Sequence, residues 1–208
     1  MAYEVVFVDW DGTLSTSRFW GHWTNEPKKA SHYGRIQRDF FLAQPNVLEA
    51  WMRGQYDAES IVRQIATDTG LEPDLLMTGL RESCVQMEVD ARALELLGRL
   101  REQGTKTVIA TDNMDTFTRW TVPALGLTDY CDEVLNSHSL RALKKDKRAN
   151  GTSAFFADYF KRTNNNPART LLIDDSPRNA VVEDFGMRFS RVSPDAPVAS
   201  ILETLLKT

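Results

Sequence analysis

The chain has 208 residues, 42% hydrophobic and 26% charged, enough for one good core or for a core carrying a smaller insert. A formal net charge of -4 gives no reason to expect nucleic acid or an anionic membrane as partner, and no apolar run approaches the roughly 20 residues that span a bilayer. Cys84 and Cys131 stand in unrelated contexts and read as reduced thiols; with a strand starting almost at the N-terminus, the expectation is a cytoplasmic protein without a signal peptide.

The first element is Val5-Val6-Phe7-Val8, followed at once by Asp9-Trp10-Asp11-Gly12-Thr13. A continuously apolar strand of this kind suits the interior of a parallel sheet, covered on both faces. Ending it in acid puts charge at the carboxyl edge, where open α/β sheets bind ligands. Residues 15–87 then change character. Bases and aromatics come early (Arg18, Phe19, Trp20, Trp23, then Lys28, Lys29, Tyr33, Arg35). Ile36, Phe40, Phe41, Val47, Leu48 and Trp51 recur at helical spacing, interrupted by Pro45. Asp57 is placed to cap a helix that buries Ile61, Val62 and Ile65 and stops near Gly70. Another follows Pro73, with Leu75, Leu76 and Leu80 on its inner face. No β-rich run interrupts the stretch, which reads as a helical insert.

From Asp90 the pattern is regular. Ala93, Leu94, Leu97 and Leu100 line one face of a helix that ends at Gly104. Residues 106–110 form a second buried strand, running into Thr111-Asp112-Asn113. A helix from Asp115 or Thr116 carries Phe117, Trp120 and Val122, and residues 133–135 form a third strand. The basic loop 141–148 precedes a helix from Thr152 that buries Phe155, Phe156, Tyr159 and Phe160. Residues 170–173 form a fourth strand ending in Asp174-Asp175. Ser176-Pro177 is placed to open a helix, serine as cap and proline at its first position. Residues 189–192 make a last strand and 198–206 a closing helix. This alternation predicts an α/β fold: a doubly wound, Rossmann-like parallel sheet (residues 1–14 and 88–208) with an inserted α-helical cap (residues 15–87).

The strand ends would gather Asp9, Asp11, Thr111, a lysine of the basic loop, Asp174 and Asp175 at one edge. Clustered carboxylates repel unless a cation joins them, and hard oxygen donors without cysteine or histidine favour Mg2+. A lysine and a threonine hydroxyl there suit a transferring phosphoryl group. One aspartate can attack phosphorus while a second moves the leaving group's proton. A calcium loop starting at Asp9 is excluded, because its fifth, sixth and twelfth positions would be Thr13, Leu14 and Trp20. His22, His32 and His138 lack metal-ligand spacing and read as structural or surface residues.

Asp9-Trp10-Asp11-Gly12-Thr13, Ile109-Ala110-Thr111-Asp112-Asn113, the Lys144-Lys145-Asp146 loop and Leu172-Ile173-Asp174-Asp175-Ser176 resemble four ordered motifs. They are those of the haloacid dehalogenase-like (HAD) hydrolase superfamily, and the resemblance spans almost the whole chain apart from the insert. It implies Asp9 as nucleophile, Asp11 as general acid/base and Lys144 as the motif lysine. It implies Mg2+ held by Asp9, the Asp11 backbone carbonyl and Asp175, with Asp174 beside it. Thr111, with Asp112 next to it, and Lys144 would bind the phosphoryl oxygens. The insert would be a mobile cap that sets substrate choice, and an acid at Asp11 separates phosphoryl chemistry from carbon–halogen cleavage.

Two positions depart from the family pattern. Lys145 stands where proline often follows the motif lysine. Lys144 keeps the Lys-x-Asp spacing with Asp146, while counting back from Asp175 points nearer Lys147; residues 147–153 would then be a short surface insertion. Asn179 stands where an acid is common. The expected function is a Mg2+-dependent phosphohydrolase acting on a small phosphorylated metabolite through an aspartyl-phosphate on Asp9. A phosphomutase or phosphotransferase of the same fold, and a non-catalytic binding or regulatory protein, are the alternatives. No motif sets an oligomeric state. Phe19, Trp20 and Trp23 are expected in the insert's core, with the possibility that one lines the substrate pocket. Lys28, Lys29, Arg18 and Arg35 give the insert positive charge for a second anionic group.

Overall fold

Five strands, β1 (Val5–Val8), β2 (Lys106–Thr111), β3 (Glu133–Asn136), β4 (Thr170–Asp174) and β5 (Arg188–Arg191), pair in parallel. Their order is β3-β2-β1-β4-β5 in the computed structural model, which describes residues 3–177 and 180–207. β1 is central because it has no polar face to offer water; all four of its residues are fully buried. Alternation along the strand divides it between two cores. Val6 and Val8 pack with Leu97, Leu100, Val198 and Leu202 on one side, Val5 and Phe7 with Phe155, Phe156, Tyr159 and Val182 on the other. Phe7 meets the Phe156 and Tyr159 rings at 5.0 Å between centroids.

The helices follow from local signals. α1 (Pro27–Arg35) opens on proline and runs into a widened, π-type turn over Ile36–Phe41; α2 (Val47–Met52) follows. α3 (Ala58–Thr69) begins at a reciprocal cap between Asp57 and Ser60 and ends at Gly70, whose φ of +64° suits glycine. α4 (Pro73–Val85) completes the insert. α5 (Ala91–Glu102) starts where Asp90 accepts from the Ala93 N–H. α6 (Val122–Ala124) is short and preceded by a second widened turn, Phe117–Thr121. α7 (Ser137–Leu140), α8 (Ala157–Thr163), α9 (Ala180–Asp184) and α10 (Val198–Leu205) finish the chain.

The doubly wound α/β prediction therefore holds, with adjustments at element ends. β2, β3 and β4 each run one residue further than expected, so Thr111, Asn136 and Asp174 belong to the ladder itself. The helix expected from Thr152 starts instead at Ala157, because the Ser153 hydroxyl accepts from the Phe156 N–H and closes a turn first. Ser176 and Pro177 form a bend and not a helix start; the Ser176 N–H turns back to Asp174 Oδ1 at 2.8 Å. Asn179 lies outside the described residues.

The insert has its own hydrophobic cluster. Trp20, Trp23, Phe40, Trp51, Ile61 and Leu80 are among its fully buried members, and Met114 alone comes from beyond the insert among the buried residues of that cluster. The segments leaving and re-entering the sheet run side by side: the Asp90 N–H donates to Leu14 O at 2.9 Å and the Glu88 N–H to Ser17 Oγ at 2.9 Å. Among the described residues no helix is long and apolar enough to cross a membrane.

Candidate active site

Register brings the acids together. Val8 pairs with Ile173 in β4 and with Ile109 in β2, so the next residue, Asp9, stands level with Asp174 and beside the end of β2. The Asp9 N–H donates to Ile173 O at 2.9 Å. Asp9 is 7% exposed, and its Oδ1 accepts from the Trp10 N–H at 2.8 Å. Its Oδ2 lies 2.8 Å from Lys144 Nζ, which also donates to Asp174 Oδ2 at 2.5 Å. One buried ammonium thus serves two buried carboxylates. Lys147 instead pairs with Asp184 and Lys145 with Glu49, both at the surface. The stretch from 147 to 153 is closed off by a Lys147–Ser153 bridge, with Gly151 at a φ of +81°.

Asp9, Asp174 and Asp175 present carboxylate oxygens within 4.8 Å of one another. Gly12 makes room for this. Its φ is +75°, and a Cβ there would stand 2.2 Å from Asp175 Oδ2. Burial pushes the Asp9 carboxyl up to about 7, outweighing the Lys144 ammonium beside it. Burial opposes the charge on Lys144, yet Asp9, Asp174 and Asp112 around it raise its pKa. Burial also opposes the charge on Asp174, but Lys144 and the Ser176 N–H together hold it below the usual range.

Asp112 accepts from the Lys144 backbone N–H at 2.9 Å, so it orients the lysine's chain as well as facing the site; burial raises its pKa. Thr111 is fully buried, and its hydroxyl has no hydrogen-bond partner among the described residues. A buried hydroxyl left unpaired is costly, and an incoming anionic oxygen would satisfy it. The donor set fits a magnesium ion: three hard carboxylates against one ammonium leave excess negative charge at an open edge. Asp11 differs from the others. It is exposed and forms an ion pair with Arg18 of the insert.

Beside the cluster is an open cavity of ≈ 300 Å³. Trp10, Asp11, Asp112 and Met114 line its sheet side; Phe19, Tyr33, Phe41, Leu48 and Met52 line its insert side. Of the aromatics expected in the insert, Trp20 and Trp23 are core, while Phe19 reaches the cavity. Phe41 does so because the widened turn keeps Phe40 buried and presents its neighbour to the opening.

Several residues that join the insert to the sheet carried no sequence signal. Asp115 accepts from Trp51 Nε1 at 2.8 Å, from the Ala58 N–H at 3.1 Å and from Arg119 at 2.7 Å. The Ser137 hydroxyl donates to Met52 O at 2.8 Å. Arg53 grips Asp146, two residues past Lys144, and the Asp146 carboxylate accepts from the Leu143 N–H at 2.9 Å. The histidines stand apart from the Asp9, Asp174 and Asp175 cluster: His22 faces Glu82, His32 packs on Trp23, and His138 meets Tyr56 O.

A family model described as haloacid dehalogenase-like hydrolase matches residues 3–181. Among solved structures, HAD family enzyme bt-2542 from Bacteroides thetaiotaomicron superposes with a TM-score of 0.73 at 17% identity, covering 93% of this chain and 95% of that one. An aspartate-to-alanine mutant of it, in complex with magnesium and inorganic phosphate, gives a TM-score of 0.71 at 15% identity over 92% and 95%. L-2-haloacid dehalogenase from Xanthobacter autotrophicus gives 0.65 at 19% identity, over 94% of this chain and 80% of that one. No curated protein matches the chain.

Proposed function

Because the chain belongs to the haloacid dehalogenase-like hydrolases, we propose that it is a magnesium-dependent phosphohydrolase acting on a small phosphorylated substrate. The observation that carries this is the pair Asp9 and Asp11 at one strand end: a buried carboxylate in the acidic cluster, and a second acid lining the cavity. An alkoxide leaving from phosphorus needs a proton, whereas a halide leaving from carbon does not. An acid at the cavity mouth therefore favours phosphoryl transfer.

In this reading an Asp9 oxygen attacks phosphorus, forming an aspartyl-phosphate as the ester P–O bond breaks, and Asp11 gives its proton to the departing oxygen. Asp11 then takes a proton from water as that water attacks the phosphorus, breaking the aspartyl P–O bond and releasing inorganic phosphate. Lys144 holds Asp9 in place, and Thr111 and Lys144 receive the equatorial oxygens. Asp9, the Asp11 carbonyl and Asp175, with Asp174 behind them, would hold Mg2+. When bound, it would neutralise phosphoryl charge as a Lewis acid. Residues 15–87 are proposed as the cap and residues 1–14 with 88–208 as the catalytic core, a division supported by the insert's separate hydrophobic cluster.

The test is phosphate release from a generic aryl phosphate with Mg2+, in the wild type and in Asp9→Asn. Loss in the variant and in chelator is expected; full activity in Asp9→Asn would sink the mechanism. The second reading, carbon–halogen hydrolysis, draws on the fold shared with the dehalogenase, and halide release from a 2-haloacid without phosphate release would favour it. Transfer to a sugar-phosphate acceptor in competition with water would identify a phosphotransferase.

A further inference from the structure

The carboxylate cluster acts on the phosphoryl group and is indifferent to what lies behind the ester oxygen. The adjoining cavity is not. On its insert side Phe19, Tyr33, Phe41, Leu48 and Met52 form the wall, with Ser17, Arg18 and Gln37 beside them, and Trp10 closes it from the sheet, packed at 5.0 Å on Phe117. Aromatic and aliphatic walls of this kind bind by contact area and offer few partners to a polar body. The volume of ≈ 300 Å³ is about twice that of the ~150 Å³ apolar cavity known to accept benzene. That leaves room for one substituted ring.

Charge narrows the choice further. Arg18 is the only cation among the described lining residues, and it is paired with Asp11. The other bases of the insert face elsewhere: Lys29 pairs with Glu26, Arg35 donates to Thr69 O, and neither they nor Lys28 line the cavity. Of the four bases that give the insert its positive charge, Arg18 alone lines the cavity among the described residues. A second phosphate or carboxylate there would meet Asp11 and Asp112 and find Arg18 as its one cation, already shared with Asp11. The Ser17 hydroxyl and the Asn113 carbonyl oxygen are already taken by the Glu88 and Met114 N–H groups, so a polyhydroxylated body would set hydroxyls against Phe19, Phe41, Leu48 and Met52. Tyr33 and Gln37, one turn apart, offer a hydroxyl and an amide that make no hydrogen bond among the described residues, enough for one polar substituent.

Resting on the phosphohydrolase reading, we propose that the substrate is the phosphomonoester of a small aromatic alcohol with no second anionic group. Its ring lies between Phe19, Tyr33 and Phe41, and its ester oxygen points toward Asp11. Leu48 and Met52 close the space behind the ring and set the size limit.

The full chain with Mg2+ is assayed on phenyl phosphate, benzyl phosphate, a hexose monophosphate and a hexose bisphosphate. The expected result is a kcat/KM for the aryl and arylalkyl esters at least about tenfold above either sugar ester, the scale on which apolar pockets discriminate. Leu48→Gln is expected to remove most of that preference by lowering only the aryl values, and Met52→Gln serves the same purpose should the first variant not fold. Equal or better turnover of a hexose ester, or an aryl preference that survives both substitutions, overturns the proposal and leaves the phosphohydrolase reading standing. Phosphate release from none of the four esters overturns that reading, and the proposal falls with it.

Discussion

Arg53 in the insert grips Asp146 with two guanidinium nitrogens, Nη2 reaching Oδ1 at 2.9 Å and Nη1 meeting Oδ2. Asp146 in turn ties the turn that starts at Leu143, so a side chain of the insert helps to place the buried Lys144. Position of the insert and position of the ammonium are coupled through one carboxylate. Arg53→Met keeps the stem and removes the fork. It is expected to lower stability by about 1 kcal/mol, the scale of a partly exposed pair, and to reduce turnover beyond what that loss explains. Thermal unfolding and kcat measured on the same preparation check both.

The pair also has a pH signature. The Arg53 fork beside it holds the Asp146 carboxyl below the usual range. A carboxyl depressed in the folded state contributes stability that is fully present above its unfolded pKa, about 3.9. That contribution is lost as pH falls through the folded value. The stability gap between wild type and Asp146→Asn should therefore stay constant from neutrality down to about pH 5 and close as acid is added below about pH 4. Urea midpoints at stepped pH values test this; a gap that widens in acid would refute it.

Gly12 and Asp175 set a third test. At a φ of +75°, with Asp175 Oδ2 2.2 Å from where a Cβ would sit, alanine is disfavoured on two counts. Gly12→Ala is expected to cost about 1–2 kcal/mol from the left-handed backbone alone. It should weaken Mg2+ binding as well, because Asp175 must withdraw from the cluster. Calorimetric titration with Mg2+ beside a melting curve separates the two effects; unchanged metal affinity would deny Asp175 a ligand role.

Lys144 offers a fourth. Removing the ammonium in Lys144→Met leaves Asp9 and Asp174 buried with no counter-charge. Breaking a buried pair from one side costs about 3–5 kcal/mol. A cation that binds only the folded state should return part of it, so the melting temperature of this variant is expected to rise more with Mg2+ than that of the wild type. Equal responses would argue against a metal in the cluster.

The sheet was legible because its central strands carry unbroken apolar runs, Val5 to Val8 and residues 108 to 110, that stop at polar residues. The clustering of Asp9, Asp174 and Asp175 was legible for the same reason, since each stands at or just past the end of a strand. The choice between Lys144 and Lys147 needed three dimensions, since the loop from 147 to 153 folds out on itself and its bridge does not show in spacing. Asp115 and Arg53 gave no signal because their meaning lies in partners 64 and 93 positions away. Phe41 was hidden by the widened turn, which breaks the period on which helical faces are read. Ser176-Pro177 looked like a helix start because serine and proline favour one, yet the Asp174 carboxylate captured the Ser176 N–H first.

The walls of the cavity rest on the insert's own tryptophans, while the Asp9, Asp174 and Asp175 cluster rests on the sheet. Phe19 packs on Trp20 and Trp51 at 6.2 and 5.6 Å, and Phe41 on Trp20 at 6.4 Å. Exchanging a wall residue disturbs that local stack and leaves the strand register untouched. Evolution can therefore walk this chain from one substrate to another by single steps, each screened for fit without disturbing the carboxylate cluster. A laboratory selection confined to positions 19, 33, 41 and 48 follows the same route.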